Sequence, residues 1–384
     1  MSKGNILFLA TVPSMITKFN TRNIRILQKM GYKIHAACNF DDRSAWTDEE
    51  AENIRKTLLD LDVTLHQIDF PRKPYHPILL VKSYKQLKKL LKTEDFEMMH
   101  NQSCVSGILG RICCRKKDIK IIHTEHGFYY FVGGPIYNWI FYPFDKMCSK
   151  WTDALITINR DDYEFAKKHM YAKKTVYIPG VGIDTEYYGN TVIDKTKMRE
   201  ALNVPKDAFV VLSVGELNKN KNHEIVLRAI AVTNKSDIYY VINGEGEIRD
   251  YLAEVAKSVG MSDRFLLTGN VKNVNEYYKM ADIFAFPSKR EGLGLAALEA
   301  MAAGLPLVTS NKNGINDYAT DGVTGFMSEP DDLNGFKNAI EKLYESKSLR
   351  EEMAKNNIER VKDFSEQRTD EIMTETYRAV MGNP

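Results

Sequence analysis

Two glutamates eight residues apart frame the most chemically loaded stretch of this 384-residue chain. Residues 285–309 read AFPSKREGLGLAALEAMAAGLPLVT, with Glu291 in a loop and Glu299 on an alanine-rich helix. An apolar strand ends at Phe286-Pro287, and Gly292 and Gly294 let the backbone come close to a ligand. The N–H groups of Gly292, Leu293, Gly294 and Leu295 open the helix and offer donors and partial positive charge to a phosphate. A carboxylate one to two turns in, Glu299, can accept paired hydrogen bonds from the hydroxyls of a ribose. Glu291 stands where a sugar hydroxyl suits it better than a phosphate, which would repel it. This is the chemistry of a nucleotide-sugar site.

The run E-G-L-G-L-x-x-L-E-A-M-A-x-G-x-P-L-V resembles the Glu-x7-Glu signature of retaining glycosyltransferases of family four. The order is far more specific than two spaced glutamates. Further segments resemble the same family: Val214-Gly215-Glu216-Leu217 with Lys221, Gly244-Glu245-Gly246 after a strand, and Leu267 to Val271. Asn313 to Phe326 resembles the turn that follows the glutamate helix, and Phe364-Ser365 precedes a final helix. In the first half, Thr124-Glu125-His126-Gly127-Phe128 resembles the family's His-Gly motif, and Ile178 to Asp184 the end of its first domain. Two departures stand out. Glu216 occupies the place where the family has an arginine on the diphosphate, which leaves Lys219 or Lys221 to carry that charge. The first loop, Thr11–Asn20, lacks the usual glycine pair.

The resemblance implies an α/β chain of the GT-B type, two Rossmann-like domains with parallel sheets facing a central cleft. It implies transfer of a sugar from a nucleoside diphosphate with retention, to a sugar on a polyprenyl diphosphate in capsule or exopolysaccharide synthesis. His126, Lys221 and Glu291 are the expected catalytic groups. Gly215, Gly244, Val271, Lys221, Glu299 and the stretch Glu291–Leu295 are expected to hold the donor, by default a UDP-hexose or UDP-N-acetylhexosamine. Thr11, Ser14, Phe128 and Tyr129 are the candidate acceptor contacts. Lys221 and the helix-start amides can stabilise the leaving diphosphate, so neither a cofactor nor a metal is expected. The alternatives are an epimerase or phosphorylase of the same fold, or a non-catalytic nucleotide-sugar-binding partner subunit.

The elements that must carry these residues are legible as alternating apolar runs and helical periods. Strands are expected at Asn5–Ala10, Lys33–Cys38, Glu97–His100, Lys120–Thr124, Ala154–Ile158 and Thr175–Ile178. A second series follows: strand Phe209–Val214, helix Glu224–Thr233, strand Ile238–Asn243, helix Ile248–Val259 and strand Phe265–Thr268. Helix Val274–Met280, strand Ile283–Pro287, helix Leu295–Ala303 and strand Pro306–Thr309 complete it. Strands apolar on both faces and separated by helices indicate parallel sheets. The expected domains are 1–185, acceptor-binding and joined by a returning C-terminal helix at 366–384, and 195–365, donor-binding.

Composition narrows the class. Hydrophobic residues make up 43% and charged residues 27%, with 53 Lys+Arg against 51 Asp+Glu, as in an ordinary globular protein. The near-neutral total conceals a split. Residues 1–185 hold 28 basic and 20 acidic side chains, net +8, and residues 186–384 hold 25 and 31, net −6. Basic residues concentrate in Val81–Lys92, where apolar residues keep a helical period, and in Arg111–Lys120. The helix reads either as a membrane-surface element or as a solvated face packed on a core. Gly127–Phe144 holds nine aromatic and no charged residues, broken by Gly133-Gly134-Pro135, so it is core, cleft or membrane boundary rather than a spanning helix. Peripheral contact with an anionic membrane is therefore expected of a cytoplasmic protein. Five cysteines, Cys38, Cys104, Cys113, Cys114 and Cys148, form no C-x-x-C pair and read as reduced thiols. A dehydrogenase is disfavoured because no G-x-G-x-x-G follows the first strand, and a net charge of +2 argues against a nucleic-acid partner.

Overall fold

The computed structural model describes residues 3–42, 47–72, 76–131 and 134–382. Gly133, part of the expected Gly-Gly-Pro interruption, lies outside the described residues. The chain divides into two units, residues 1–181 with 369–384, and residues 182–368.

The first unit is built on a seven-stranded sheet: β1 Asn5–Leu9, β2 Lys33–Cys38, β3 Val63–Gln67, β4 Met98–Asn101, β5 Lys120–Glu125, β6 Ala154–Thr157 and β7 Lys174–Tyr177. Their order is β3-β2-β1-β4-β5-β6-β7, and every pairing is parallel. Ile6 to Leu9 are fully buried, as a strand covered by helices on both faces requires. The chain reverses its direction of travel across the sheet between β1 and β4, which makes a topological switch point there.

The second unit repeats the plan with six strands: β8 Phe209–Val214, β9 Ile238–Asn243, β10 Phe265–Gly269, β11 Ile283–Phe286, β12 Leu307–Ser310 and β13 Gly325–Ser328. The order β10-β9-β8-β11-β12-β13 puts its switch point between β8 and β11, and again every pairing is parallel. One core, containing Val211, Tyr240, Ile242, Leu227, Ile230, Leu252 and Phe336, seals the sheet against the helices. The expected doubly wound architecture is thus present in both units.

The structure adds to and corrects the expected elements. The stretch Thr11–Asn20, read as a loop, contains a helix, Pro13–Phe19, which meets the next helix, Thr21–Lys29, at Asn20. β3 and β13 were not expected, and each forms one edge of its sheet. An edge strand packs fewer neighbours, so its sequence (VTLHQ in β3) is not a continuous apolar run. Helix Asp48–Asp60 was also missed, although Thr47 and Glu50 form a reciprocal capping box at its start. The basic segment does fold as a helix, Pro77–Thr93, with Leu87, Leu90 and Leu91 buried. Arg111, the first residue of the second basic segment, is 1% exposed and pairs with buried Asp145 at 2.5 Å. Arg115, Lys116 and Lys117 are exposed as expected.

The segments that link the units run side by side within the second one. Ile183 accepts from the amide of Glu366 at 3.0 Å and donates to the carbonyl of Phe364 at 3.1 Å. The last helix, Glu366–Met381, delivers Tyr377 to the first unit, where it is buried and its hydroxyl lies 2.9 Å from His100 Nδ1. Among the described residues no helix is long and apolar enough to cross a membrane.

Candidate active site

In the second unit every expected donor residue lies at or beyond the carboxyl edge of the sheet. Gly215 follows β8, Gly244 follows β9, Val271 follows β10, and Glu291 to Gly294 lie in the loop between β11 and the helix that Leu295 opens. An open parallel sheet binds ligands at this edge, beside the switch point. Local chemistry sets the loops. Gly244 closes against β8 so tightly that a Cβ there would sit 1.9 Å from the carbonyl oxygen of Gly215. Gly294 caps the helix Leu295–Ala302 in the left-handed region, φ +95°. A side chain at that position would also press within 2.6 Å of the Phe286 ring. The first N–H groups of this helix have no acceptor within it, and its dipole favours an anion there.

Lys221 and Glu291 form the centre of the arrangement. The Lys221 ammonium meets Glu291 Oε1 at 2.5 Å and lies 5.1 Å from the centre of the Phe286 ring. Asn218 Oδ1 accepts the Lys221 amide at 3.0 Å, which fixes the turn that presents the lysine. The loop carrying Glu291 is tied to the same turn. The Lys289 amide donates to the Asn220 carbonyl at 2.8 Å, and the Asn220 side chain donates to the Arg290 carbonyl at 2.9 Å. Cation and carboxylate are therefore held by one pair of loops across the switch point. Lys219 and Glu216 are both exposed.

Glu299 is half-buried about one turn into the helix. It accepts hydrogen bonds from the hydroxyl of Tyr278, at 2.8 Å, and from Tyr188. Burial raises the pKa of its carboxyl, and the two tyrosines oppose that rise. An ionised carboxylate has about four acceptor positions, so two donors hold it in orientation and leave room for a ligand hydroxyl. Sequence reasoning missed both tyrosines. Tyr278 sits on a helix read correctly, but nothing in its spacing points to Glu299, and Tyr188 lies in the inter-domain segment.

In the first unit, Thr11 and the loop after β4 meet across the switch point. Ser103 Oγ accepts the Thr11 amide at 3.1 Å and lies 3.0 Å from its hydroxyl. Thr11 and Ser14 are both nearly buried. His126 follows β5, is partly exposed, and contacts Gln102 Oε1 through Nε2 at 2.7 Å. Burial lowers its pKa to about 4, so the ring is neutral at physiological pH. Gln102, absent from the sequence-based candidates, joins His126 to Asn20 and His100. The polar run Asn101-Gln102-Ser103 at a strand end was the available signal.

The aromatic stretch divides. Phe128 packs with Tyr130, Leu155 and Ala166 and is 3% exposed, so its ring is core and not a free acceptor contact. Tyr129 is half exposed, as are Tyr137, Ile140 and Phe144. All five cysteines are free thiols. Burial pushes the Cys113 and Cys114 thiols up to about 12, so they are weak nucleophiles. Among the described residues no cluster of three or more His, Cys, Asp or Glu is placed to hold a metal ion.

Comparison with known proteins identifies the family. Residues 21–187 match the family Glycosyltransferase Family 4, and residues 194–360 match Glycosyl transferases group 1. EpsD of Bacillus subtilis (strain 168), named as a glycosyltransferase, is 31% identical over 98% of this chain and 97% of its own. The Escherichia coli UDP-Gal:alpha-D-GlcNAc-diphosphoundecaprenol alpha-1,3-galactosyltransferase is 31% identical over 70% of this chain and 72% of its own. The crystal structure of a glycosyltransferase from Rickettsia africae ESF-5 shares the fold over the full length of both chains, with a TM-score of 0.81 at 17% identity. With its paired Rossmann-like units and its glutamates at the second switch point, the chain belongs to glycosyltransferase family 4, the group 1 enzymes of the GT-B fold.

Proposed function

We propose that this glycosyltransferase acts with retention, moving a hexose or N-acetylhexosamine from a UDP-sugar to a sugar on a polyprenyl diphosphate in surface-polysaccharide synthesis. The observation that carries this reading is the Lys221–Glu291 pair at the mouth of a glycine-capped helix, with Glu299 about one turn further in. The donor diphosphate takes Lys221 and the helix-start amides. The donor-sugar hydroxyls take Glu291, and the ribose takes Glu299. The acceptor oxygen bonds to the anomeric carbon as the bond from that carbon to the diphosphate breaks. The acceptor proton passes to the departing phosphate oxygen, and nucleoside diphosphate leaves. Fixed positive charge at the leaving group is the main contribution, because charge develops there in the transition state. Lys221 and the amides supply that charge, so we propose catalysis without a metal or another cofactor. The UDP donor and the diphosphate-linked acceptor are supported by the name of the Escherichia coli relative.

Peripheral contact with an anionic membrane belongs to the same reading. Ile78, Val81, Ile136, Tyr137, Ile140 and Phe144 stay exposed in the first unit. An apolar groove of about 330 Å³, lined by Leu80, Val105, Ile108, Ile140, Phe141 and Phe144, lies among them. The helix that contributes Leu80 also carries Lys85, Lys88, Lys89 and Lys92. Apolar side chains that insert and lysines that meet anionic headgroups are what a lipid surface requires.

The test is product analysis. Purified protein, a panel of UDP-sugars and a synthetic sugar diphosphate lipid should yield UDP and a product whose new anomeric centre matches the donor's by NMR. Inversion at that carbon would contradict retention. Donor binding without any UDP release, with acceptors from several repeat units, would favour a non-catalytic partner subunit, a reading that exposed Glu216 in the arginine position supports.

A further inference from the structure

The hydrogen bonds around His126 run in a direction that a backbone carbonyl fixes. The Asn20 side-chain nitrogen lies 3.1 Å from the carbonyl oxygen of Met15. That oxygen only accepts, so the NH2 of Asn20 faces it and Oδ1 faces the other way. Asn20 Oδ1 receives Gln102 Nε2 at 3.0 Å and Asn23 Nδ2 at 3.0 Å. The NH2 of Gln102 is therefore turned toward Asn20, and its second hydrogen reaches His100 Nε2 at 2.9 Å. Gln102 Oε1 is then the atom that meets His126 Nε2 at 2.7 Å. A carbonyl oxygen cannot donate, so His126 Nε2 carries the hydrogen. A neutral imidazole has one N–H, which leaves Nδ1 with a lone pair. Among the described residues Nδ1 has no hydrogen-bond partner.

The relay is rigid. Asn20 and Gln102 are each 1% exposed, and His100 is fully buried. The Gln102 amide donates to the carbonyl of Leu9 at 3.0 Å, anchoring it at the switch point. His100 is held from its other side by Tyr377, and Thr124 also reaches its Nε2, at 2.8 Å. Phe19 packs on the His126 ring with centroids 4.8 Å apart.

We propose that Gln102 is a positioning residue that fixes His126 as the Nε2–H tautomer, so that Nδ1 accepts a hydrogen bond from a substrate hydroxyl. The contact with substrate rests on the glycosyl-transfer reading above; the tautomer does not. His126 thus selects a ligand that donates at this point, a hydroxyl rather than an ether or carbonyl oxygen. Protonation would turn Nδ1 into a donor and reverse that selection. The ionisable groups of the first unit around the ring are His100 on β4, His123 on β5, itself in contact with Glu125, and the Arg22–Asp370 pair. Burial holds His126 neutral.

Long-range 1H–15N NMR of the wild-type protein reads the tautomer directly, with the His126 signals identified by their loss in His126→Ala. The expected pattern has the proton on Nε2; a proton on Nδ1 overturns the proposal whatever the activity. Activity then reads the consequence. In Gln102→Leu, loss of one orienting hydrogen bond should lower kcat/KM about 10-fold. Gln102→Glu places a carboxylate against the ring N–H and should favour the imidazolium, moving the acidic limb of the pH–rate profile up by about one unit. A limb that stays put while the variant remains folded overturns the proposal. If the wild type shows the Nε2–H tautomer but transfers no sugar, the transferase reading falls and the positioning assignment stands.

Discussion

A lysine and a carboxylate 2.5 Å apart neutralise each other while no donor is bound. In the proposed reading, donor binding would give each a better partner: the diphosphate for Lys221 and the sugar hydroxyls for Glu291. Lys221→Ala should therefore lower turnover by about 10²-fold, the usual effect of removing one transition-state charge contact. Turnover near wild type would reject that role. Glu299 supplies a pH prediction. Burial raises its folded pKa above the ordinary glutamate value, so on acidification the carboxylate protonates earlier than an exposed one. Donor affinity, measured by titration calorimetry, should fall as pH decreases and begin to do so above the normal glutamate range. Glu299→Gln should bind more weakly at neutral pH and lose that dependence; an identical pH dependence in the variant would contradict the assignment. At this scale the sequence was informative where the backbone supplies the chemistry. Glycines beside a glutamate at a strand end announce a ligand. It was silent where two distant side chains meet, as Tyr188 and Tyr278 do on Glu299, because that contact depends on packing between helices.

The helix Leu295–Ala302 shows what an element contributes. Its start is fixed by one residue in a conformation that side chains avoid, Gly294 at φ +95°. Gly294→Ala should destabilise the second unit by about 1–2 kcal/mol, through left-handed strain alone. The crowding against Phe286 should weaken donor binding as well. A urea midpoint and a donor affinity both equal to wild type would show that the cap is not needed. The central strands were legible because burial on both faces writes a continuous apolar run, as in FVVLSV of β8 and IYYVIN of β9. The edge strands β3 and β13 were not, because an edge tolerates polar residues. Nor was the helix Pro13–Phe19, in a stretch read as a loop; yet it ends at Asn20, whose side-chain amide orients Gln102.

For the whole molecule, the two sheets repeat one plan while their halves of the sequence carry opposite charge, +8 and −6. The second unit has the fuller set of candidate site residues, and the first has the apolar groove beside the lysine-bearing helix Pro77–Thr93. Salt-sensitive binding to anionic vesicles should therefore follow the first unit. It should weaken about 1 kcal/mol for each lysine removed from the helix Pro77–Thr93; equal binding to neutral vesicles in high salt would contradict the electrostatic part. The C-terminal helix belongs to the first unit, with Met373 and Tyr377 buried there. Truncation after residue 368 should lower the unfolding temperature of that unit, and an unchanged melt would show the helix to be dispensable. The central claim is that the carboxyl edge of the second sheet holds a nucleotide sugar through Glu299 and Lys221. A thermal-shift titration of wild type, Glu299→Ala and Lys221→Ala with UDP-sugars tests it most directly, because a ligand that binds only the folded state raises the melting temperature. The account predicts a concentration-dependent rise for wild type and a reduced or absent rise for both variants. No rise with any nucleotide sugar, or equal rises in all three proteins, would contradict it.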